Sequence, residues 1–210
     1  MMGRVILVGN SVELLQHEYG SYIDSFDTIV RFGKGIPTNE NFVSIGKKTD
    51  VWITGFLRQK YWKHFKDAKV LFNRCRIHMD KEPITAKIKE LEYTNMFSDE
   101  EILEIFDLVG ATNSKADGGN RPSAGFLGIM YFLNKCEYES LEIIGFDFFA
   151  KKLPFRTGAD YPASWHLPIN SISRSPHNPN ERQIIKELSD RGSLNWKILS
   201  NLEEEYLDFS

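Results

Sequence analysis

Short apolar runs rich in β-branched residues recur along this chain, each bounded by Gly, Asp or Asn and separated by segments of helical period. That alternation constrains the fold more than any other feature. Arg4–Val8 reads as a buried strand, and Gly9-Asn10-Ser11 turns the chain into a helix running through Gln16. Thr28–Phe32, Asp50–Thr54, Lys69–Phe72 and Leu141–Phe146 read as further strands. Continuous apolar runs of this length suit central parallel strands that are buried on both faces. Helical spacing predicts helices over Ile84–Leu91, Ser98–Leu108, Pro122–Lys135 and Glu181–Asp190. Ser98 with Glu101 makes a capping box, and Gly192 is placed to stop the last helix. The pattern predicts a doubly wound α/β sheet, with no internal repeat and no low-complexity segment. The 150–178 stretch is rich in Pro and Ser/Thr and without period, which predicts a long loop over the active face.

Composition narrows the function classes. With 210 residues and 41% apolar content, the chain is expected to form a single domain with one good core. A net charge of −3, without a dense Lys/Arg block, gives no reason to expect a nucleic-acid partner. The N-terminal apolar run is too short for a signal peptide or anchor, and no later run approaches the ~20 residues of a membrane span. Cys75 and Cys136 supply no disulfide framework, which predicts a cytoplasmic protein.

In an open α/β sheet, ligands bind beyond the carboxyl ends of the strands, where helix N-termini present unbonded N–H groups. Gly9-Asn10-Ser11 falls at such an end. Gly9 lets the backbone approach a ligand, Asn10 offers a donor and an acceptor, and Ser11 can donate to a phosphate. The same residues also suit an ordinary tight turn with a polar cap. Pro122-Ser123-Ala124-Gly125 opens a helix, with Pro in the first turn where its missing N–H costs nothing. Its amides and Ser123 would face a phosphate or ribose, or simply cap a buried helix. Arg121 adds a charge just before that terminus.

His177 lies in Ser175-Pro176-His177-Asn178-Pro179, ahead of the last helix. A neutral imidazole there can take a proton from a sugar hydroxyl, and Glu181 could orient the ring, bind acceptor or favour the helix dipole. His166 could donate to a leaving phosphate. His17, His64 and His78 lack obvious partners in sequence and read as surface residues. Trp62, Tyr161 and Trp165 could stack on sugar faces or belong to a core. No Asp-x-Asp is present to hold a divalent ion against a diphosphate, and no Cys/His spacing suits zinc, so a metal-independent site without a cofactor is expected.

Taken together these segments resemble the sialyltransferases of glycosyltransferase family 29. The first family motif is similar to Val5–Asp50, through Val8-Gly9-Asn10-Ser11, Ile23-Asp24-Ser25, Asp27, Ile29-Val30-Arg31 and Gly46-Lys47-Lys48-Thr49-Asp50. The second is similar to Arg121–Phe146, through Pro122-Ser123-Ala124-Gly125, Cys136 and Gly145-Phe146. His166 matches the third, and His177 with Glu181 the last. The resemblance covers most of the chain and looks like that of a minimal bacterial or viral member.

It implies a GT-A-like Rossmann-type sheet and an inverting, metal-independent transfer from a CMP-sugar donor to a glycan acceptor. His177 would be the general base and His166 would stabilise the departing phosphate. Gly9, Asn10, Ser11, Arg31, Gly33, Ser123, Ala124 and Gly125 would surround the nucleotide and its phosphate. The chain departs from the family at five places. Gly33 stands where a donor-contacting Asn is usual, Ala124 where a hydroxyl is usual, and Leu167 where Tyr is usual. Only Asn178-Pro179-Asn180 separate His177 from Glu181, one residue fewer than is usual. Val5 replaces the Cys that would otherwise bridge to Cys136.

The leading expectation is transfer of sialic acid from CMP-sialic acid. Another CMP-sugar such as CMP-Kdo, sharing the carboxylate and leaving group, is the nearest rival. From a different class comes a nucleotide-binding relative without catalysis, suggested by Gly33, Ala124 and Leu167. A Rossmann-type oxidoreductase is disfavoured, because no glycine-rich dinucleotide fingerprint is present.

Overall fold

The computed structural model describes residues 1–33, 35–55, 64–73, 92–111, 122–146 and 180–199. Among these residues seven strands are β1 (Met2–Val8), β2 (Thr28–Phe32), β3 (Val51–Thr54), β4 (Lys69–Phe72), β5 (Tyr93–Asn95), β6 (Tyr138–Ile144) and β7 (Asn195–Lys197). They form one sheet in the order β5-β4-β3-β2-β1-β6-β7. Every neighbouring pair is parallel. The chain winds outward from β1 to β5, then returns to the other side of β1 for β6 and β7. This is the α/β, Rossmann-like architecture that the alternation of runs predicts.

The alternation of side chains across β1 divides the apolar residues between two faces. Val5 and Leu7 join Val30, Phe32 and Ile143 in one cluster with Phe126, Ile129, Ile105 and Ile185. Ile6 and Val8 join Ile29 and Ile144 in a second, packed against Leu14, Ile23 and Ile45. Helices α3 (Asp99–Leu108), α4 (Ala124–Lys135) and α5 (Asn180–Asp190) therefore cover the first face. A short 3-10 turn (Val12–Gln16), α1 (Gly20–Ile23) and α2 (Phe42–Ile45) cover the second. Beyond them Trp52 stacks on Phe65 with ring centroids 4.6 Å apart, in a smaller cluster with Val70 and Phe72.

Several boundaries shift for physical reasons. β1 starts at Met2 and β6 at Tyr138 because those two residues pair with each other, extending both strands beyond their apolar runs. β6 ends at Ile144 because Gly145 turns to φ +71°. The helix expected through Gln16 is a 3-10 turn with Ser11 as N-cap. The expected capping box of α3 forms, with Ser98 Oγ accepting from the Glu101 amide and the Glu101 carboxylate accepting from the Ser98 amide. The chain turns at Gly192, φ +75°, just past the end of α5. Ile84–Leu91, Cys75 and the 150–178 loop lie outside the described residues. Among the described residues no helix is long and apolar enough to cross a membrane.

Candidate functional site

The strand order reverses between β1 and β6, and the residues just beyond their carboxyl ends are Gly9-Asn10-Ser11 and Gly145-Phe146. Two backbone bonds sew these turns together: the Gly9 amide donates to the Ile144 carbonyl (2.8 Å) and the Ser11 amide to the Gly145 carbonyl (3.0 Å). A Cβ on Gly9 would lie 2.2 Å from the Gly145 carbonyl oxygen, so only glycine permits this approach. Ser11 is buried, and its Oγ accepts from the Glu13 amide at 3.3 Å. Asn10, half-buried, donates from Nδ2 to the Phe32 carbonyl at 3.1 Å and so ties the end of β1 to the end of β2.

Next along that edge is Gly33, with φ +52° and, among the described residues beyond its chain neighbours, no atom within 4 Å of where a Cβ would stand. Its carbonyl accepts from the Trp52 indole N–H at 2.9 Å, and its own amide donates to the Ile53 carbonyl at 2.8 Å. Trp52 is a contributor that sequence reasoning missed. Its signal in the sequence is an indole inside a central strand, where the buried N–H needs a partner.

Helix α4 precedes β6, so its N-terminus comes to the carboxyl edge of the sheet. Ser123 caps it, accepting from the Phe126 amide at 3.0 Å. Gly125 lies against Phe146, where a Cβ would stand 2.8 Å from Cε1 of the ring. Ala124 and Gly125 are half-exposed. Helix α5 precedes β7 and reaches the same edge. There Glu181, only 1% exposed, accepts from the Ser123 amide (2.5 Å) and from Ser123 Oγ (2.7 Å). Burial pushes its carboxyl up to about 7, against the two Ser123 hydrogen bonds, which favour the charged form. Asn180 in the same turn donates from Nδ2 to the Val109 carbonyl at 2.9 Å. Asn180 was also missed, although a polar amide at a helix start is a recognisable signal.

Arg31 sits elsewhere. Its guanidinium is fully buried, with Nε donating to the Lys48 carbonyl (2.9 Å) and Thr49 Oγ1 (3.0 Å), and Nη2 donating to the Ile45 carbonyl (2.7 Å). Burial lowers its pKa to about 10, with Asp24 and Asp50 opposing. Asp24 braces the same turn by accepting from the Lys47 amide (2.9 Å) and the Lys48 amide (3.0 Å). Asp50 accepts from the Ile29 amide at 2.8 Å. Much of the first motif thus builds the scaffold behind β1 and β2.

The structure therefore brings together Gly9, Asn10 and Ser11, Gly33, Ser123 to Gly125 and Glu181 at one edge of the sheet, and turns the Arg31 side chain from β2 onto the 45–49 turn. His177, His166, Leu167, Arg121, Trp62, Tyr161 and Trp165 lie outside the described residues. Among the described residues no three of His, Cys, Asp and Glu converge as metal ligands. The expectation of a metal-independent site rests on the sequence alone.

No family model matches the sequence, and no curated protein matches it. Solved structures do. A mammalian sialyltransferase superposes with a TM-score of 0.57 at 18% identity, over 93% of this chain and 69% of that one. The same comparison with a mammalian sialyltransferase in complex with Gal-beta-1-3GalNAc-ortho-nitrophenol gives 0.55 at 18% identity, with the same coverage. Monomeric CstII gives 0.57 at 13% identity, over 93% of this chain and 80% of that one. The chain has a sialyltransferase-like fold.

Proposed function

We propose that this chain is a glycosyltransferase that moves sialic acid from CMP-sialic acid to a glycan hydroxyl, with inversion and without a metal. The observation that carries the reading is that Gly9 and Gly125 both pack on Phe146, which sets Gly9-Asn10-Ser11 and the first turn of α4 on the same side chain at the switch point of a sialyltransferase-like sheet. Residues from two distant segments, each expected from sequence to face the nucleotide, share the position where α/β sheets bind ligands.

In the proposed reaction the acceptor oxygen attacks the anomeric carbon from the face opposite the leaving group. The bond from that carbon to the CMP phosphate oxygen breaks, and its electron pair stays on the phosphate. The acceptor proton passes to His177, which acts as general base. His166 donates to the departing phosphate. The phosphate also draws on the first-turn amides of Ala124 and Gly125, which the cap contacts of Ser123 and Glu181 leave to one side. Asn10 offers its side-chain oxygen to the donor while its amide holds Phe32. Arg31 contributes indirectly, by holding the 45–49 turn. The proposed cytoplasmic setting rests on the two cysteines, which supply no disulfide framework.

CMP release from CMP-sialic acid, with EDTA present and a panel of glycan acceptors, tests this directly. Acceptor-dependent release should persist in EDTA and fall at least ~100-fold in His177→Ala, the contribution typical of a general base. Unchanged release in the mutant would sink the assignment of the base. Faster turnover of CMP-Kdo would change the donor. The absence of polar side chains at Gly33 and Ala124 favours one second reading, a nucleotide-binding protein without transfer. It predicts CMP binding with release from neither donor.

A further inference from the structure

The group that answers the N-terminus of α4 is one of the protein's own carboxyls. Glu181 enters from a different helix, 58 residues away in sequence, and takes both the amide and the hydroxyl hydrogen of Ser123. Ser123 Oγ also accepts from the Phe126 amide. Ser123 is therefore occupied on its donor side and its acceptor side. A phosphate would have to displace a buried carboxylate to reach it.

We propose that Glu181 is a positioning residue: its carboxylate clasps Ser123 and fixes the spacing of the N-termini of α4 and α5 at the edge of the sheet where transfer takes place. The inference rests on the proposed transferase reading and adds a role within it. The first turn of α5 is anchored twice, by Glu181 to Ser123 and by Asn180 to the Val109 carbonyl at the end of α3. Helix α4 has no slack on its other side, because a Cβ at Gly125 or Gly128 would strike Phe146 at 2.8 Å or Phe32 at 2.4 Å. Three helix ends and the end of β6 thus form one rigid junction.

Apolar contact would also hold two helices together, but it has no direction. A carboxylate with two short hydrogen bonds sets both distance and angle. Burying it opposes ionisation, so a purely adhesive role would be better served by an apolar pair of the same volume. That expense fits a junction whose geometry matters. The Ala124 and Gly125 amides lie in the turn being held, and α5 takes up the chain immediately after the segment that carries His177.

The test is a double-mutant cycle on transfer kinetics, with donor KM and kcat measured separately alongside thermal melts. Glu181→Ala should lower kcat at least tenfold while KM for CMP-sialic acid stays within threefold of wild type. Ser123→Ala should do the same, and the double variant should be no worse than the poorer single. Glu181→Gln, which keeps the volume and one accepting oxygen, should recover most of the loss. Should Glu181→Ala not fold, Glu181→Leu, which keeps the volume but has no acceptor, closes the same cycle with Ser123→Ala. Additive losses, or a rise in KM with kcat unchanged, would overturn the clasp in favour of independent or direct ligand contacts. A lowered melting temperature with unchanged kcat per folded molecule would reduce it to an ordinary structural bond. If wild type transfers nothing from any donor, the transferase reading fails and takes this role with it. Transfer by wild type with any of the other contrary results overturns the clasp alone.

Discussion

Gly33 holds φ +52°, a left-handed backbone that asparagine adopts more readily than most residues, and among the described residues beyond its chain neighbours none crowds its Cβ position. Gly33→Asn should therefore fold as well as wild type. If the proposed donor site is correct, it should lower the donor KM by about tenfold, the equivalent of one ordinary hydrogen bond. Gly33→Val should instead cost about 1–2 kcal/mol in urea melts, because a β-branched residue resists that backbone. Glu181 predicts a pH effect whose sign follows from its raised folded-state value. Its carboxyl titrates at about 7 when folded against 4.5 in its ordinary state, so the folded chain retains the extra proton between those values. Its contribution is complete below the lower value and is lost as pH rises through the upper one. Relative to Glu181→Gln, wild type should lose on the order of 3 kcal/mol between pH 4.5 and pH 7.5. Denaturant midpoints of the two proteins across that range check it. Asn10, Ser123 and Glu181 were each legible as polar residues at element ends. The bond between the last two was not, because local spacing carries no trace of a partner 58 residues distant. Arg31 was legible as a cation but not as a buried one, since among the described residues two of its three hydrogen-bond partners are backbone carbonyls with no side-chain signature.

Among the elements, the junction of β1 and β6 depends on atoms that are absent. Gly9→Ala would drive a methyl into the Gly145 carbonyl, 2.2 Å from the ideal Cβ position, and the turns would have to part. A loss of about 1–3 kcal/mol is expected, typical of overpacking, with a lower melting temperature than Gly192→Ala makes, which disturbs only a helix stop. The helix cap is a milder case. Ser98→Ala should cost about 1 kcal/mol by the same assay, since it opens the capping box of α3. Central strands and long helices were readable because burial on both faces demands apolar runs, and caps have their own chemistry. The edge strands β5 and β7 were not. Tyr93–Asn95 and Asn195–Lys197 are three residues each and largely polar, and pairing rather than composition makes them strands. The one-turn helices α1 and α2 are too short for a period to register.

For the whole molecule, a ligand that binds only the folded state must raise its melting temperature. CMP at about 100 times its dissociation constant should add about 2.7 kcal/mol, while NAD should leave the transition unmoved, since no dinucleotide fingerprint is present. Differential scanning with the two nucleotides separates these outcomes, and no shift with CMP would remove nucleotide binding. The architecture as a whole was the most legible feature, because alternating strand and helix segments admit few arrangements. The strand order has a consequence for synthesis. β1 leaves the ribosome before both of its neighbours, and the two arrive at very different times. β2 follows within thirty or so residues, whereas the partner on the other side, Tyr138–Ile144, must wait for most of the chain. Until then one side of Met2–Val8 is a row of unpaired N–H and C=O groups on a strand that is apolar on both faces, a ready template for another chain. The innermost seam of the finished protein is thus its most vulnerable edge while the protein is being made.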